Sequence, residues 1–360
     1  MKILYAAGLL PKDSALYRLW ALERLGHQVI PFNTYDYLPR NPLFGKLTHR
    51  LSAGPNVTRL NRDLLRLVES EKPDVFWADK LLSLRSSTLD RLHTLGIATV
   101  SFMIDNPFGT RRDTGWRLYL ANIPHYDLHI VQRDKSLLDY TRRGARDVIK
   151  IQTAYEPTLH FPPPAGWSDA NRDRQVSFIG TPYDDRAEIL GRLWRECGFS
   201  VAVSGGEKVW SRAMQPDAFK ATFREGELYA DDYRNAIWRS RINLSFLTHS
   251  NQDEFVHKSF EIAGCAGFLL AERSEGHLQR FKEDEEAVFF SSFDELTEKI
   301  RRYLPDEAAR ERIAKAGHLR AARDGYHNDR QVGLILERIE SIVAKMPNRN
   351  AAPQASAGRA

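Results

Sequence analysis

Residues 257–270 read HKSFEIAGCAGFLL, a pattern that predicts a short helix ending at Gly267 and a buried strand directly after it. A helix start beside Lys258 and Ser259 offers backbone N–H groups without intrahelical partners and the positive end of the helix dipole. Both features suit a phosphate or diphosphate. Glu261, one turn further on, is placed to accept hydrogen bonds from the vicinal hydroxyls of a sugar. The same residues also fit an ordinary helix–strand unit with a surface glutamate.

Size and composition are those of an ordinary globular protein with two domains. The chain has 360 residues, of which 42% are hydrophobic and 28% charged. Its two cysteines, Cys197 and Cys265, are far apart and lack metal-ligand spacing, which argues against a disulfide scaffold or structural zinc and predicts a cytoplasmic protein. No apolar run approaches the roughly 18 residues of a membrane span, and residues 1–12 fit a strand and loop better than a signal peptide.

The net charge of +5 is unevenly distributed along the chain. Residues 1–165 contain 23 Lys/Arg and 16 Asp/Glu, whereas the remainder contains 29 and 31. A basic first half favours an anionic partner such as a phosphorylated glycan, a lipid headgroup or nucleic acid. It fits a solvated surface without a partner equally well, and no Lys/Arg run is dense enough for a nucleic-acid-binding stripe.

Strand and helix patterns alternate in two similar halves. The first half has no GxGxxG after its first strand, which disfavours a dinucleotide site there. Residues 33–55 are predicted to be a connection that lines the acceptor side of a cleft. The proline-rich residues 155–167 mark a linker, after which the alternation restarts at Gln175. The predicted divisions are a first domain (1–165), a second domain (166–328), a C-terminal helix that crosses back to the first domain (329–345) and a disordered tail (346–360).

Asp105 follows the predicted strand from Ala98 to Ile104 and precedes a turn at Asn106-Pro107. Open α/β sheets place working residues at the carboxyl ends of their strands, which makes this carboxylate a candidate catalytic group. The alternative is that Asp105 only caps the following turn.

The order of these segments resembles that of a GT-B glycosyltransferase, and more specifically the CgeB-like group, which is named for a spore-maturation protein and is related to family 4-type enzymes. The resemblance spans most of residues 1–345. The segments that carry it are 25–29, 72–74, 105–107, 126–128 and 154–157 in the first half, and 176–180 with 185–186, 240–246, 260–268, 293–296 and 313–314 in the second.

The resemblance implies an α/β fold with two facing Rossmann-like, doubly wound domains and a cleft that binds a nucleotide-sugar donor on the second domain. Such enzymes carry a Glu-x7-Glu pair whose second glutamate binds the nucleotide ribose. Here the pair corresponds to Asp253 and Glu261, so the first carboxylate is an aspartate, and Glu254 lies one position off the spacing. The CgeB-like group has a basic residue three positions before the second glutamate, which is Lys258 here. Lysine supplies charge but no bidentate fork, so we expect it to neutralise the diphosphate.

Transfer of a glycosyl group builds negative charge on the departing diphosphate, which fixed positive groups can stabilise without a metal or other cofactor. No Asp-x-Asp motif stands at a strand end, as a metal-dependent transferase would require. The predicted catalytic cation is Lys258. The predicted donor-binding residues are Glu261 and Asp253, together with Ser259, His257, Gly180, Arg186, Gly205 and Lys208.

Whether the reaction needs a catalytic base depends on whether it inverts or retains the configuration of the anomeric centre. Asp105 is the candidate if the reaction inverts the anomeric centre, with His27 as a competitor, and a retaining reaction needs no such base. The predicted function is transfer of a sugar, with a hexose favoured, to a glycan, protein or lipid-linked acceptor such as a bacterial surface glycan, with peripheral membrane contact. The alternatives are a nucleic-acid base glycosyltransferase and a non-catalytic nucleotide-sugar-binding protein of the same fold.

Overall fold

The structure is a computed structural model that describes residues 1–109 and 115–346. It divides into two compact units: unit 1 comprises Met1–Ile151 and the chain from Val332 onward, and unit 2 comprises Gln152–Gln331. Each unit contains a six-stranded sheet whose strands pair in parallel, so the predicted doubly wound α/β class is confirmed. The predicted disordered tail after Met346 lies outside the described residues.

Unit 1 has the strand order β2-β1-β3-β4-β5-β6. Its strands β3 and β4 are buried along their whole length because helices cover both faces of a parallel sheet. One helix, α2, lies inside the segment 33–55 that the sequence predicted only as a connection. The elements are β1 (Lys2–Ala7), α1 (Ser14–Arg24), β2 (Gln28–Asn33), α2 (Pro42–Leu51), α3 (Pro55–Glu71), β3 (Val75–Asp79), α4 (Ser86–Thr94), β4 (Ala98–Phe102), α5 (Trp116–Ala121), β5 (Leu128–Val131), α6 (Asp134–Arg142) and β6 (Val148–Lys150).

Unit 2 has the strand order β12-β11-β10-β7-β8-β9. Successive strands are added outward from β7 in one direction and from β10 in the other, so the topological switch point lies where these two strands pair. The elements are β7 (Arg174–Ile179), α7 (Arg186–Arg195), β8 (Val201–Ser204), α8 (Glu207–Ala213), α9 (Pro216–Thr222), β9 (Phe223–Glu225), α10 (Ala230–Trp238), β10 (Ser240–Ser245), α11 (His257–Gly264), β11 (Leu269–Glu272), α12 (Glu275–Leu278), β12 (Val288–Phe290), α13 (Phe293–Tyr303), α14 (Glu307–Arg323) and α15 (Asn328–Val343).

The last helix, α15, begins in unit 2 and continues into unit 1. Its apolar stripe contributes to the hydrophobic core of unit 1, where it is buried with residues of β1, β3 and β4; the stripe consists of Val332, Ile335, Leu336 and Ile339. The 3.6-residue period of these positions explains why one face of the helix is covered.

The end of α11 differs from the sequence prediction. The helix ends at Gly264 rather than at Gly267. Ala266, and not Gly267, takes the left-handed conformation after the helix. Gly267 is needed for a different reason, since a Cβ there would lie 2.7 Å from the side chain of Ile237. Close packing of α10 against this turn therefore requires the glycine.

A buried ion pair links the first helix of unit 1 to its sheet. Arg18 Nε donates to Asp79 Oδ2 at 2.7 Å and Nη2 donates to Oδ1 at 3.0 Å, while the Tyr5 hydroxyl lies 2.6 Å from Oδ2. Burial and the Asp79 carboxylate raise the pKa of Tyr5 well above its ordinary value. Burial disfavours the charge on Arg18, but Asp79 outweighs it and raises the pKa of the guanidinium. Arg18 therefore stays charged inside the protein.

Replacement of Asp79 by alanine leaves the Arg18 charge buried without its partner. We expect Asp79→Ala to destabilise unit 1 by about 3–5 kcal/mol. Hydrogen exchange of the β1 and β3 amides measures this loss locally. Glu69→Ala, which removes an exposed partner of Arg91, is the control and should cost less than about 1 kcal/mol. Equal protection in both variants would contradict a structural role for the buried pair.

Candidate functional site

The loops that follow β7 and β8 pack against each other at the carboxyl edge of the unit 2 sheet. Trp210 Nε1 donates a 2.8 Å hydrogen bond to the backbone oxygen of Gly180. A Cβ on Gly205 would lie 2.2 Å from that oxygen and 2.6 Å from the indole nitrogen, so no other residue fits there without movement. The structure thus brings the predicted residues Gly180 and Gly205 together, and the close approach of the Gly180 backbone explains the glycine at 205.

Three side chains from two helices meet next to this loop pair. The Tyr233 hydroxyl donates a 2.7 Å hydrogen bond to Glu261 Oε2 and accepts a longer one, 3.4 Å, from Lys258 Nζ. The ammonium also lies over the rings of Phe178 and Tyr233, 5.6 and 5.3 Å from their centroids. The Lys258 side chain runs along Gly180, its Cε 3.6 Å from the position that a Cβ would take there. Glu261, Lys258 and Tyr233 therefore form one half-buried cluster at the switch point.

The charges in this cluster depend on one another. Burial lowers the pKa of Lys258 to about 8; Glu261 raises it and Arg186 lowers it further. Burial disfavours the ionised form of Glu261, but His160, Lys258, His257 and the Tyr233 hydrogen bond outweigh this effect, and the pKa of Glu261 falls below its ordinary value. Glu261 is consequently an ionised acceptor at neutral pH, beside an ammonium that can lose its proton in mild base.

His160 and Tyr233 were not among the predicted site residues. His160 is buried, its ring packs edge-on to Tyr233, and its Nδ1 accepts a 3.1 Å hydrogen bond from the backbone N–H of Glu156. The neutral ring must therefore carry its proton on Nε2. Burial lowers the pKa of His160, although Glu261 and Glu156 favour the proton. His160 lies in the proline-rich segment that the sequence marked as a linker, and Tyr233 carries no motif, so neither gave a usable signal.

Ser259 is placed differently from its predicted donor-binding role. Its side chain is buried, and its hydroxyl lies 2.9 Å from both Ser245 Oγ and His277 Nε2. His277 Nδ1 lies 2.8 Å from the backbone oxygen of Glu272, so the proton belongs on Nδ1 and Nε2 accepts from Ser259. Burial lowers the pKa of His277 to about 4, which keeps the ring neutral. The Ser259 hydroxyl is thus buried and ties α11 to β10 and α12.

Arg186 holds the backbone of two loops together. Its guanidinium donates to the backbone oxygens of Thr181 (3.2 Å) and Leu247 (2.9 Å) and to the hydroxyl of Thr248 (2.9 Å). Burial lowers the pKa of Arg186, while acidic neighbours that include Asp253 raise it. Arg186 therefore contributes positive potential to the cluster while its donors shape the loops that follow β7 and β10.

The remaining predicted donor-binding residues lie on the loops and helix starts around the cluster. Asp253 accepts a 2.9 Å hydrogen bond from the Asn251 amide in the loop after β10. His257 is the half-buried first residue of α11, which has Val256 at its N-cap and therefore no side-chain hydrogen bond capping its first amides. Lys208 is exposed near the start of α8. Lys258 and Glu261 form the centre of this group of residues, because both are hydrogen-bonded to the Tyr233 hydroxyl.

Unit 1 has its own cavity, of about 440 Å³, at the carboxyl ends of its strands. Its lining includes Arg18, Asp79 and Lys80. Lys80 Nζ lies 2.5 Å from Asp105 Oδ2, so the predicted base is held in an ion pair beside the cavity wall. His27, the competing candidate for the base, directly precedes β2 at the amino-terminal edge of the sheet, whereas Asp105 follows β4 at the carboxyl edge.

The described residues contain neither a cluster of metal-ligating side chains nor a helix that could span a membrane. Within residues 1–109 and 115–346, no group of three or more His, Cys, Asp or Glu side chains is arranged to hold a metal ion. In the same ranges no helix is both long and apolar enough to cross a bilayer.

One family model matches most of the second half of the chain. Residues 174–337 match a family model described as glycosyl transferase-like. A comparison with curated protein sequences gives no match. The matched segment contains β7, β10 and α11, and hence the whole cluster of Lys258, Glu261 and Tyr233.

Solved structures of GT-B enzymes share the fold of nearly the whole chain. Sucrose-phosphate synthase from Thermosynechococcus elongatus superposes with a TM-score of 0.69 at 13% identity, covering 96% of this chain and 99% of its own. Anabaena HepE, in complex with UDP and glucose, gives 0.64 at 14% identity, covering 95% and 100%. A UDP-forming α,α-trehalose-phosphate synthase from Burkholderia xenovorans gives 0.65 at 12%, covering 95% and 99%. The chain therefore has the GT-B fold, as predicted, whereas no comparison identifies the CgeB-like group.

Because the Ser259 hydroxyl is bonded only to buried groups, we expect its removal to lower the stability of unit 2 and to leave nucleotide binding unchanged. Ser259→Ala leaves Nε2 of the buried His277 without its donor, so we expect unit 2 to lose about 1–3 kcal/mol of unfolding free energy. Any affinity of the wild type for UDP, measured below the unfolding temperature by calorimetry, should be retained within twofold. A variant of unchanged stability and strongly reduced UDP affinity would instead restore Ser259 to the donor-binding set.

Proposed function

We propose that this chain is a glycosyltransferase that moves a sugar, most simply a hexose, from a nucleoside diphosphate donor bound by unit 2 to an acceptor bound by unit 1. The observation that carries the proposal is the ionised Glu261 beside Lys258 at the switch point of unit 2. This cluster lies within the segment matched by the glycosyl transferase-like model. The UDP complex of HepE and the UDP-forming trehalose-phosphate synthase support a uridine nucleotide as the first donor to test.

Glu261 is the proposed partner of the nucleotide ribose. A carboxylate accepts two hydrogen bonds from vicinal hydroxyls in a geometry that one side chain can provide. The hydrogen bond from Tyr233 occupies Oε2 and fixes the orientation of the carboxylate before a ligand arrives. This preorganisation lowers the entropy cost of binding.

Lys258 and the first amides of α11 are the proposed partners of the diphosphate. Departure of the diphosphate concentrates negative charge on its oxygens, and a nearby ammonium in a partly buried site stabilises that charge more than it would in water. His257 and Asp253 border the same edge, and Lys208 adds an exposed cation near the start of α8. With these cations supplied by the protein, we propose a reaction that requires no metal.

The acceptor is proposed to be a glycan, a protein or a lipid-linked molecule, held at the 440 Å³ cavity of unit 1. If the reaction inverts the anomeric centre, Asp105 is the proposed base. It would have to exchange Lys80 for the acceptor hydroxyl before accepting the proton. If configuration is retained, Asp105 and Lys80 serve as part of the acceptor surface.

Glu261→Ala removes a charge-assisted hydrogen bond to the donor. We expect UDP binding to weaken by about 1–3 kcal/mol. The wild type should also release nucleoside diphosphate from at least one member of a panel of UDP-, GDP- and CDP-sugars, and the variant should release it more slowly. Glu188→Ala, in which an exposed glutamate of α7 is removed, is the matched control and should behave as the wild type. If a donor binds but is never turned over, even by hydrolysis, the chain is a binding protein and the transferase proposal fails.

The pKa of Lys258 predicts the pH dependence of donor binding. Below about pH 8 the ammonium is charged, and as the pH rises through this value its charge is lost in the free protein. We expect the UDP affinity to be flat up to neutral pH and to fall above pH 8, by at most about ten-fold per pH unit. Lys258→Arg, which stays charged, should remove the fall. A wild-type affinity that is constant to pH 9.5 would exclude Lys258 as a diphosphate partner.

A further inference from the structure

The outer face of α2 is apolar and exposed to solvent. Leu43 is 75% exposed, Phe44 64%, Leu47 52% and Leu51 58%. The helix itself is well defined, because the Asn41 side chain caps it by accepting a 2.9 Å hydrogen bond from the backbone N–H of Leu43. Four large exposed apolar side chains on a ten-residue helix need an apolar environment to cover them.

Helical geometry places these side chains on one side. At 100° per residue, Leu43, Phe44, Leu47 and Leu51 occupy an arc of about 100°. Thr48 comes next around the helix, about 40° beyond Phe44, and is half-buried where it lines the 440 Å³ cavity of unit 1. The helix therefore has an inner side that faces the cavity and an outer apolar stripe without a partner among the described residues.

The segment that carries the stripe is basic. Residues 37–62 contain five Lys/Arg and no Asp or Glu. Lys46 and Arg50 are exposed, and helical periodicity places both immediately beside the apolar stripe. Neither forms an ion pair with another described residue, so both charges are available to an anionic surface.

We propose that α2 is an interfacial helix that docks unit 1 on an anionic lipid bilayer. An apolar stripe flanked by Lys and Arg is the arrangement with which a helix lies in the plane of a membrane interface, its apolar side chains among the acyl chains and its cations at the headgroups. A bilayer satisfies the stripe and the cations together. A protein partner would have to offer an apolar groove with acidic residues along one edge, a more specific requirement for which the chain shows no other sign.

Membrane docking would also select the acceptor, a consequence that rests on the proposed function. Leu38, which is 59% exposed, and Thr48 both line the unit 1 cavity, so a bilayer at α2 would lie at the cavity rim. Among the three acceptor classes, a lipid-linked molecule with its polar head at the bilayer surface is the one that reaches the cavity in this arrangement.

Sedimentation of the full chain with vesicles tests the docking without any donor or acceptor, so its outcome is independent of turnover. Vesicles of phosphatidylglycerol and phosphatidylcholine should bind the protein, and pure phosphatidylcholine should bind it at least ten-fold more weakly. Lys46→Gln with Arg50→Gln should weaken binding to the anionic vesicles by about 25-fold, at about five-fold per basic residue. Phe44→Ser with Leu47→Ser should weaken it by roughly ten-fold or more.

The matched controls are Leu138→Ser in unit 1 and Leu319→Ser in unit 2, which remove exposed leucines of similar accessibility, 60% and 56%, on other helices. Both should bind vesicles as the wild type does. The proposal is overturned if anionic vesicles do not bind the wild type, or if the controls lose binding to the same extent. It is also overturned if Phe44→Ser with Leu47→Ser only converts a dimer to a monomer in analytical ultracentrifugation, since α2 would then be covered by a second copy.

Discussion

The partly buried contact of Glu261 and Lys258 through the Tyr233 hydroxyl is the interaction on which the proposed function of unit 2 depends. A carboxylate and an ammonium taken out of water are costly unless each is matched. Here the hydroxyl accepts from one and donates to the other, while the rings of Phe178 and Tyr233 face the ammonium. The fold supplies the positions: Gly205 lets the loops after β7 and β8 approach closely, and Arg186 joins the loops after β7 and β10. The result is an acceptor for hydroxyls and a cation for phosphates, a few ångströms apart.

Much of this arrangement follows from local sequence patterns. Buried apolar runs alternating with amphipathic helices predicted both parallel sheets, and Lys258 and Glu261 were recognised because they share one helix start with a three-residue spacing. His160 and Tyr233 were missed because their contacts join segments about 100 and 28 residues away from Glu261, which local periodicity does not report. The buried contacts of Ser259 were missed for a related reason. Only the fold shows that its hydroxyl meets His277, 18 residues later, inside the sheet.

Unit 1 illustrates a different limit of sequence reasoning. Its core pattern was clear, yet the polar pair at its centre, Arg18 with Asp79, carries no motif and becomes visible only when α1 packs on β3. The helix α2 was overlooked because its proline and glycine residues resemble those of a connection. Asn41, which caps it, and Pro42, at its first position, are instead the start signals of a helix. Once the helix is known, its exposed leucines are seen to form one apolar surface, which a pattern of strands and helices alone does not reveal.

The central claim is that a nucleoside diphosphate binds unit 2 with its ribose on Glu261 and its diphosphate on Lys258. A crystal structure of the chain with UDP tests this most directly. The account predicts both ribose hydroxyls within hydrogen-bond distance of the Glu261 carboxylate, Tyr233 still bound to Oε2, and the diphosphate in contact with Lys258 Nζ and the start of α11. A nucleotide that binds elsewhere in unit 2, with Glu261 and Lys258 keeping only each other and Tyr233 as partners, would contradict it.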